Sequence, residues 1–251
     1  MPVNSDHTDT ETLAPLQDTD APFGLGRRKV ALSLMEQAYA RLRGEILSCR
    51  LAPGAEISEA DIAERLGVSK SPVREALGRL RSEGFVKSYP RRGYQVMPLT
   101  ISDLNELLDL RNILESGAVT LAAARITEDE LQELTRLADA SYDKETMASL
   151  DQFVQANRSF HSAICRASGN RRLYEQVITC LDGLERFFYV GARSRDVNPE
   201  VKDDHHRLVK ALRHREASVA RKMIVEHNDS TRAGLVKVIS QGWGGDGLWV
   251  E

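Results

Sequence analysis

The sequence predicts a mostly α-helical protein in two parts, a small N-terminal unit closed by a β-hairpin and then an all-α antiparallel helical bundle. Three observations carry this. Apolar residues recur at helical spacing from near Ala31 to Ser240. The stretch "FVKSYPRRGYQVMP", Phe85 to Pro98, alternates instead with a period of two. Beyond Pro98 the chain reads entirely as helices separated by caps and stops. At 251 residues, with 41% hydrophobic and 28% charged residues, there is material for two modest domains or one large one.

The polar start, rich in Thr, Asp and Pro, buries too little apolar surface to offset the cost of ordering, so residues 1–29 read as a disordered tail. They carry neither the basic start nor the apolar stretch of a secretion signal, and no run of eighteen apolar residues follows; a cytoplasmic, membrane-free protein is expected. Cys49, Cys165 and Cys180 form an odd set without CxxC spacing, which suits reduced and mostly buried thiols.

A first helix runs from near Ala31 through Leu34, Ala38, Leu42, Ile46 and Leu47 to the punctuation at Pro53 and Gly54. Ser58 to Asp61 has the form of a capping box and opens a short helix with Ile62, Ala63 and Leu66 inward, stopped by Gly67. Ser71 is the expected N-cap of the next helix, with Pro72 at its first position and Val73, Ala76, Leu77 and Leu80 on the buried face. Two short helices joined at "GVS" make a helix-turn-helix. Its second helix leads with Ser69, Lys70, Ser71 and Arg74, donors suited to phosphates and base edges when a helix enters the major groove. The hairpin that follows carries Arg91, Arg92 and Gly93 at its tip, a basic wing. Between Glu64 and Tyr94 eight Lys/Arg stand against three Asp/Glu, so this window is +5 while the rest of a chain of net charge −3 is −8. On the residues alone the cluster reads equally as a solvated basic face or as a DNA contact.

From Pro98 on, Thr100 or Ser102 opens a helix whose stripe of Leu104, Leu107, Leu114, Ala118 and Leu121 includes Arg111. Either Arg111 pairs with Glu115 at the stripe's edge, worth roughly a few tenths of a kcal/mol, or it faces a cavity that takes an anion. Thr127 to Glu130 is a further capping box, for a helix to about Ala140. More helices are expected at Thr146–Ser168, Arg171–Ala192, Pro199–Arg213 and Glu216–Ser240. Residues 241–251, with "GWGGDG", read as a flexible tail.

Histidines carry the chemistry of this half. Asn157 and His161 lie one turn apart on one helix face. His205 and His227 are equidistant from Glu216, where a helical hairpin turns at "RHRE", so they stand level across the bundle. His161, His205 and His227 with the carbonyl oxygen of Asn157 therefore compose a three-histidine site with room for water or ligand. His206 points elsewhere, while His214 in the turn and His7 in the tail are expected in solvent. Taken singly, each histidine is more simply a hydrogen-bonded helix residue.

"ISEADIAERLGVSKSPVREALGRLRSEGFV" followed by "RRGYQV" resembles the winged helix-turn-helix of GntR-family bacterial transcription regulators, with their V-S-x-[ST]-P-V-R-E-A-L segment. The resemblance implies DNA contacts by Ser69, Lys70, Ser71, Arg74, Arg91, Arg92 and Gly93. Lys70 stands where arginine is frequent and Ala60 where some members place an arginine; lysine is a point charge rather than a bidentate fork, which softens or shifts base discrimination. "LRNILESGAVTLAA", "NRSFHSAICRASGN", "HHRLVKAL" and "ARKMIVEH" resemble the FCD effector domain of the FadR subfamily. This divides the chain at 30–98 for the DNA-binding unit and 99–240 for an effector-binding and dimerisation unit. Metal-binding members use an Asp-x-x-x-His pair and two later histidines, which map to Asn157, His161, His205 and His227. Asparagine in place of aspartate leaves a bound ion its full 2+ charge, weakening its retention and strengthening its pull on an anion.

The implied protein is a homodimeric regulator, a repressor in the leading reading, on a palindromic double-stranded DNA operator. A small carboxylate (organic or sugar acid) at Arg111, Asn157, His161, His205 and His227, beside a divalent zinc, nickel or manganese ion, would release it. A regulator sensing the ion itself is the alternative. A metal-dependent hydrolase on the same ligands is disfavoured, since no Asp or Glu is motif-placed as general base and no enzyme is expected.

Overall fold

The computed structural model describes residues 32–143 and 146–241. The tail at 1–29 with His7, and all of the 241–251 tail except Gln241, lie outside the described residues. The order among the described residues is α1 (Leu34–Leu47), β1 (Glu56–Ile57), α2 (Glu59–Leu66), α3 (Lys70–Ser82), β2 (Val86–Tyr89), β3 (Gly93–Val96), α4 (Ile101–Arg125), α5 (Glu128–Ala138), α6 (Met147–Ala167), α7 (Arg171–Ser194), α8 (Asn198–Arg213) and α9 (Ala217–Ser240). The fold is mostly helical, a winged helix-turn-helix followed by an all-α bundle.

Helix α1 starts at Leu34 rather than near Ala31 because Ser33 and Glu36 close a reciprocal capping box, Ser33 N donating to Glu36 Oε2 and Glu36 N to Ser33 Oγ. Ser58 caps α2 as expected, accepting from Asp61 N at 3.1 Å, and Gly67 ends it in the left-handed region with φ of 65°. The expected cap of α3 is corrected. The helix begins at Lys70 with Ser69 at the extended N-cap position, so Ser71 and Pro72 lie within the first turn. Nothing is lost by this shift, because the N–H that Pro72 lacks belongs to the four that have no intrahelical acceptor. Val73, Ala76, Leu77 and Leu80 are fully buried against Leu42 and Ile46 of α1 and Val86 and Val96 of the hairpin.

The hairpin registers Val86 with Val96 and Tyr89 with Gly93, and β1 joins its other side to give the antiparallel order β1-β3-β2. Two residues are too few to announce a strand by alternation, so β1 was not expected. It explains Gly93, whose φ is 90° and whose added Cβ would stand 2.7 Å from the Ile57 carbonyl oxygen. Only glycine lets β3 start that close to β1.

Thr100, not Ser102, caps α4. The buried stripe of α4 is Leu104, Leu108, Arg111, Glu115, Ala118 and Ala122; Leu107, Leu114 and Leu121 sit at its margin, half-buried. Thr127 and Glu130 form the second reciprocal box. The helices α5 and α6 pack on α8 through Leu134, Phe160, Ile164 and Leu208, while α4, α6, α7 and α9 share a second core around Leu108, Phe153, Leu184 and Leu235. The three cysteines are free thiols and buried. The two halves meet where Arg186 of α7, itself buried, donates from Nη2 to the Met97 carbonyl oxygen at 2.7 Å, and the Cys49 thiol reaches the Arg186 carbonyl at 3.6 Å.

Candidate functional site

At the N-terminal unit, Ser69, Lys70, Ser71 and Arg74 are exposed on one end of α3, and Arg91 and Arg92 are exposed at the wing tip. Arg91 adopts a positive φ of 66° there. Gly93 is the first residue of β3, half-buried by its approach to β1, so it shapes the wing through its backbone. Arg74 does not project freely. Its Nη2 and Nε donate to Glu59 Oε2 at 2.8 and 3.0 Å, and the Tyr94 hydroxyl donates to Glu59 Oε1 at 3.5 Å. The hydrogen bonds from Arg74 hold the Glu59 carboxyl below its ordinary pKa. Glu59 thus holds Arg74 against α2 in a surface pair that contributes little to stability.

In the bundle, α6 brings His161 to the centre, and α8 and α9 fold back on each other at Glu216 so that His205 and His227 face it. The ring centroids are 5.3 Å apart for His161 and His205, 5.3 Å for His161 and His227, and 5.1 Å for His205 and His227. All three residues are buried, and their nearest ring nitrogens lie within 4.8 Å of one another. Side-chain rotation of under about an ångström brings such nitrogens to the ~2.1 Å of a shared divalent ion. His161 Nε2 and His205 Nε2 have no hydrogen-bond partner among the described residues, which is costly for buried ring nitrogens unless they receive a ligand. The donor set therefore fits a metal ion.

The surroundings orient these rings. His161 Nδ1 stands 3.2 Å from Glu115 Oε1, and His227 Nδ1 stands 3.1 Å from Asp204 Oδ2. A carboxylate on one ring nitrogen turns the other toward the centre, the arrangement that ordinarily supports metal-binding histidine. His205 is stacked on Phe160 at 3.8 Å between centroids. Burial, reinforced by the Arg111 charge, lowers the His161 pKa to about 4, and burial lowers that of His205 well below its ordinary value, so both rings are neutral near pH 7. His206 instead faces Asp139 at 3.0 Å, and His214 is exposed.

Arg111 and Glu115 do pair, Nε to Oε2 at 3.1 Å, but the pair sits in the interior with side chains 1% and 2% exposed, not at the edge of the stripe. Burial alone would push the Glu115 pKa up; the Arg111 charge, the contact with His161 and the Asn228 amide donor at 3.2 Å hold it well below the ordinary carboxylate range. Arg111 Nη2 has no hydrogen-bond partner among the described residues. Arg111 also lines a cavity of about 50 Å³ with Asn157, His227, Thr231 and the apolar side chains Phe153, Val154, Phe188, Val201 and Leu235. Asn157 is on the cavity wall, one turn before His161.

Glu115, Asp204 and Phe160 were missed as site residues. The hairpin symmetry that pairs His205 with His227 also brings Asp204 level with His227, and Glu115 stood one turn beyond an arginine already recognised as inward-facing.

Residues 34–96 match the family of bacterial regulatory proteins, gntR family, and residues 106–230 match the FCD domain. An HTH-type transcriptional regulator in an unstable DNA locus of Streptomyces ambofaciens is 30% identical over 171 residues, covering 68% of this chain and 71% of its own. The chain belongs to the GntR family, with an FCD domain. Escherichia coli K12 McbR, an HTH-type transcriptional regulator, is 28% identical over 207 residues, 81% of this GntR chain and 92% of McbR. The solved E. coli McbR/YncC structure aligns with a TM-score of 0.63 over 82% of this chain and 98% of that one. The E. coli K12 transcriptional repressor RspR is 23% identical over 192 residues, 76% of this chain and 84% of RspR. This GntR-family protein is a DNA-binding transcription regulator, and its relatives are regulators, not enzymes. No helix among the described residues is long and apolar enough to cross a membrane.

Proposed function

We propose that this regulator is a homodimeric repressor that leaves a palindromic operator when a small carboxylate occupies the FCD cavity beside a divalent ion. The observation that carries the reading is the meeting, in one cavity, of Arg111 with a free buried nitrogen, of Asn157, and of His227 from the three-histidine cluster. His161, His205 and His227 hold the ion, zinc, nickel or manganese, through ring nitrogens, with the Asn157 amide oxygen as a fourth donor. When bound, the ion would supply a positive charge that attracts a carboxylate. Arg111 donates its unpartnered nitrogen to the acid, Glu115 and Asp204 keep the rings oriented, and the apolar wall excludes water. On DNA, Ser69, Lys70, Ser71 and Arg74 read the major groove from α3, while Arg91 and Arg92, with the Gly93 backbone between the strands, follow the phosphates. The repressor role is supported by the similarity to RspR.

The buried histidine cluster also favours a second reading, in which the ion is itself the signal. Operator binding followed by fluorescence anisotropy separates the two. With the metal saturating, the carboxylate reading expects tight binding that an acid abolishes; the metal-sensing reading expects release, or capture, on adding the ion alone. Insensitivity to both overturns the proposal.

A further inference from the structure

The cavity has two unlike ends. From His227 to Leu235 along α9 is about 12 Å, and from Phe188 to Arg195 at the end of α7 is about 10 Å, at ~1.5 Å per residue. Arg111, Asn157 and His227 stand at the inner end. At the outer end Arg195 donates from Nη1 and Nη2 to the two oxygens of Glu200, at 2.8 and 2.6 Å, with the pair's side chains 31% and 46% exposed. Gly234 makes that placement possible, since a Cβ there would collide with the Arg195 guanidinium. Between the ends the wall is largely apolar, formed by Phe153, Val154, Ala192, Val201 and Leu235, with Thr231 adding one hydroxyl.

Given the acid reading above, on which this rests, we infer that the cavity selects a short monocarboxylate with a compact apolar body, and that Glu200 is the specificity residue that denies the outer end to a second carboxylate. The acid enters carboxylate-first toward Arg111. Beyond Asn157 the body meets a single side-chain hydroxyl, that of Thr231, among apolar groups, so most hydroxyls of a sugar acid would be buried without partners, and each such group opposes binding. The space of about 50 Å³ is small and favours the shortest acids over longer ones. A dicarboxylate long enough to reach the outer end meets a guanidinium already engaged on both terminal nitrogens and the negative charge of Glu200. Replacing Glu200 by glutamine removes that charge and one of the two acceptor oxygens, so a ligand carboxylate competes for Arg195.

Calorimetry on the metal-saturated full-length protein tests this with isobutyrate and 3-methyl-2-oxobutanoate as monoacids, D-gluconate as sugar acid and glutarate as diacid. Wild type is expected to bind a monoacid at least about tenfold tighter than gluconate or glutarate. Glu200→Gln is expected to gain at least about tenfold for glutarate while keeping its monoacid affinity and its metal content. Gluconate or glutarate binding wild type as tightly as the monoacids overturns the selectivity, whatever the variant does. Unchanged glutarate affinity in a Glu200→Gln protein that still binds monoacid overturns the role of Glu200. If no acid of any class binds metal-loaded wild type, the acid reading of the cavity itself fails, and this inference with it.

Discussion

Glu115→Gln should cost this protein far more than any other loss of an i,i+4 ion pair. The substitution keeps the shape and nearly the helix propensity of the side chain. What it removes is the only negative charge within 4 Å of a guanidinium that is 1% exposed, among the ion pairs of the described residues. A surface pair at this spacing contributes about 0.3 to 0.5 kcal/mol. Stranding one charge of a buried pair costs about 3 to 5 kcal/mol, which for a chain of this size lowers Tm by roughly 6 to 20 °C. Urea unfolding with a chelator present, so that bound metal adds no stability, measures the difference. The double variant Arg111→Met/Glu115→Leu should recover at least half of the loss, because an apolar pair leaves no charge behind. A Glu115→Gln loss below about 1 kcal/mol would refute the reasoning, since it would mean that water reaches Arg111. The same variant should loosen metal binding by about tenfold or more, His161 having lost the group that orients it.

On DNA, Arg74→Ala should weaken specific operator binding by roughly tenfold to a hundredfold, whereas Arg91→Ala should weaken specific and scrambled duplexes alike, read by gel-shift titration; affinity of the wild type should fall steeply over a salt series as phosphate counterions are released. In the bundle, His205→Ala and His227→Ala should each empty the site after dialysis, and Asn157→Asp should retain the ion better while binding the acid more weakly at saturating metal, by elemental analysis and calorimetry. Metal-free protein should lose stability as pH falls from about 6.5 toward 4. In that window the unfolded chain protonates His161 and the folded one, with its pKa at about 4, does not, a loss of about 3 kcal/mol from this ring, to which His205 adds in the same direction. A stability flat over that range would place these rings in solvent.

The helix-turn-helix was legible because its punctuation is local: Ser58, Gly67 and the spacing of Val73, Ala76, Leu77 and Leu80 fix two helices within a few residues of chain. The convergence of His205 and His227 was legible for a geometric reason, equal distance from one turn. What escaped depends on partners distant in sequence. Strand β1 is two residues long and exists only because β3 lies beside it. The cap of α3 lies at Ser69 and not Ser71, two serines that suit the position alike and between which the local sequence does not choose. The partnership of Glu115 with His161 joins α4 to α6 and is invisible to spacing along either helix. The identity of Arg111 as an inward charge could be read from its stripe, but its magnitude could not, since burial decides between a few tenths and several kcal/mol.

The bond from Arg186 to the Met97 carbonyl ties residues 97–99, the short stretch between wing and bundle, to α7. On one side of this short splice the wing ends at Val96; on the other, Thr100 starts the helix that carries Arg111. A continuous α-helix does not shorten under load, so α7 behaves as a rod roughly 36 Å long. Phe188 and Ala192 touch the cavity on that rod, and Arg186 grips the splice half a turn before Phe188. The cavity wall and the residues that join wing to bundle therefore share one rigid element.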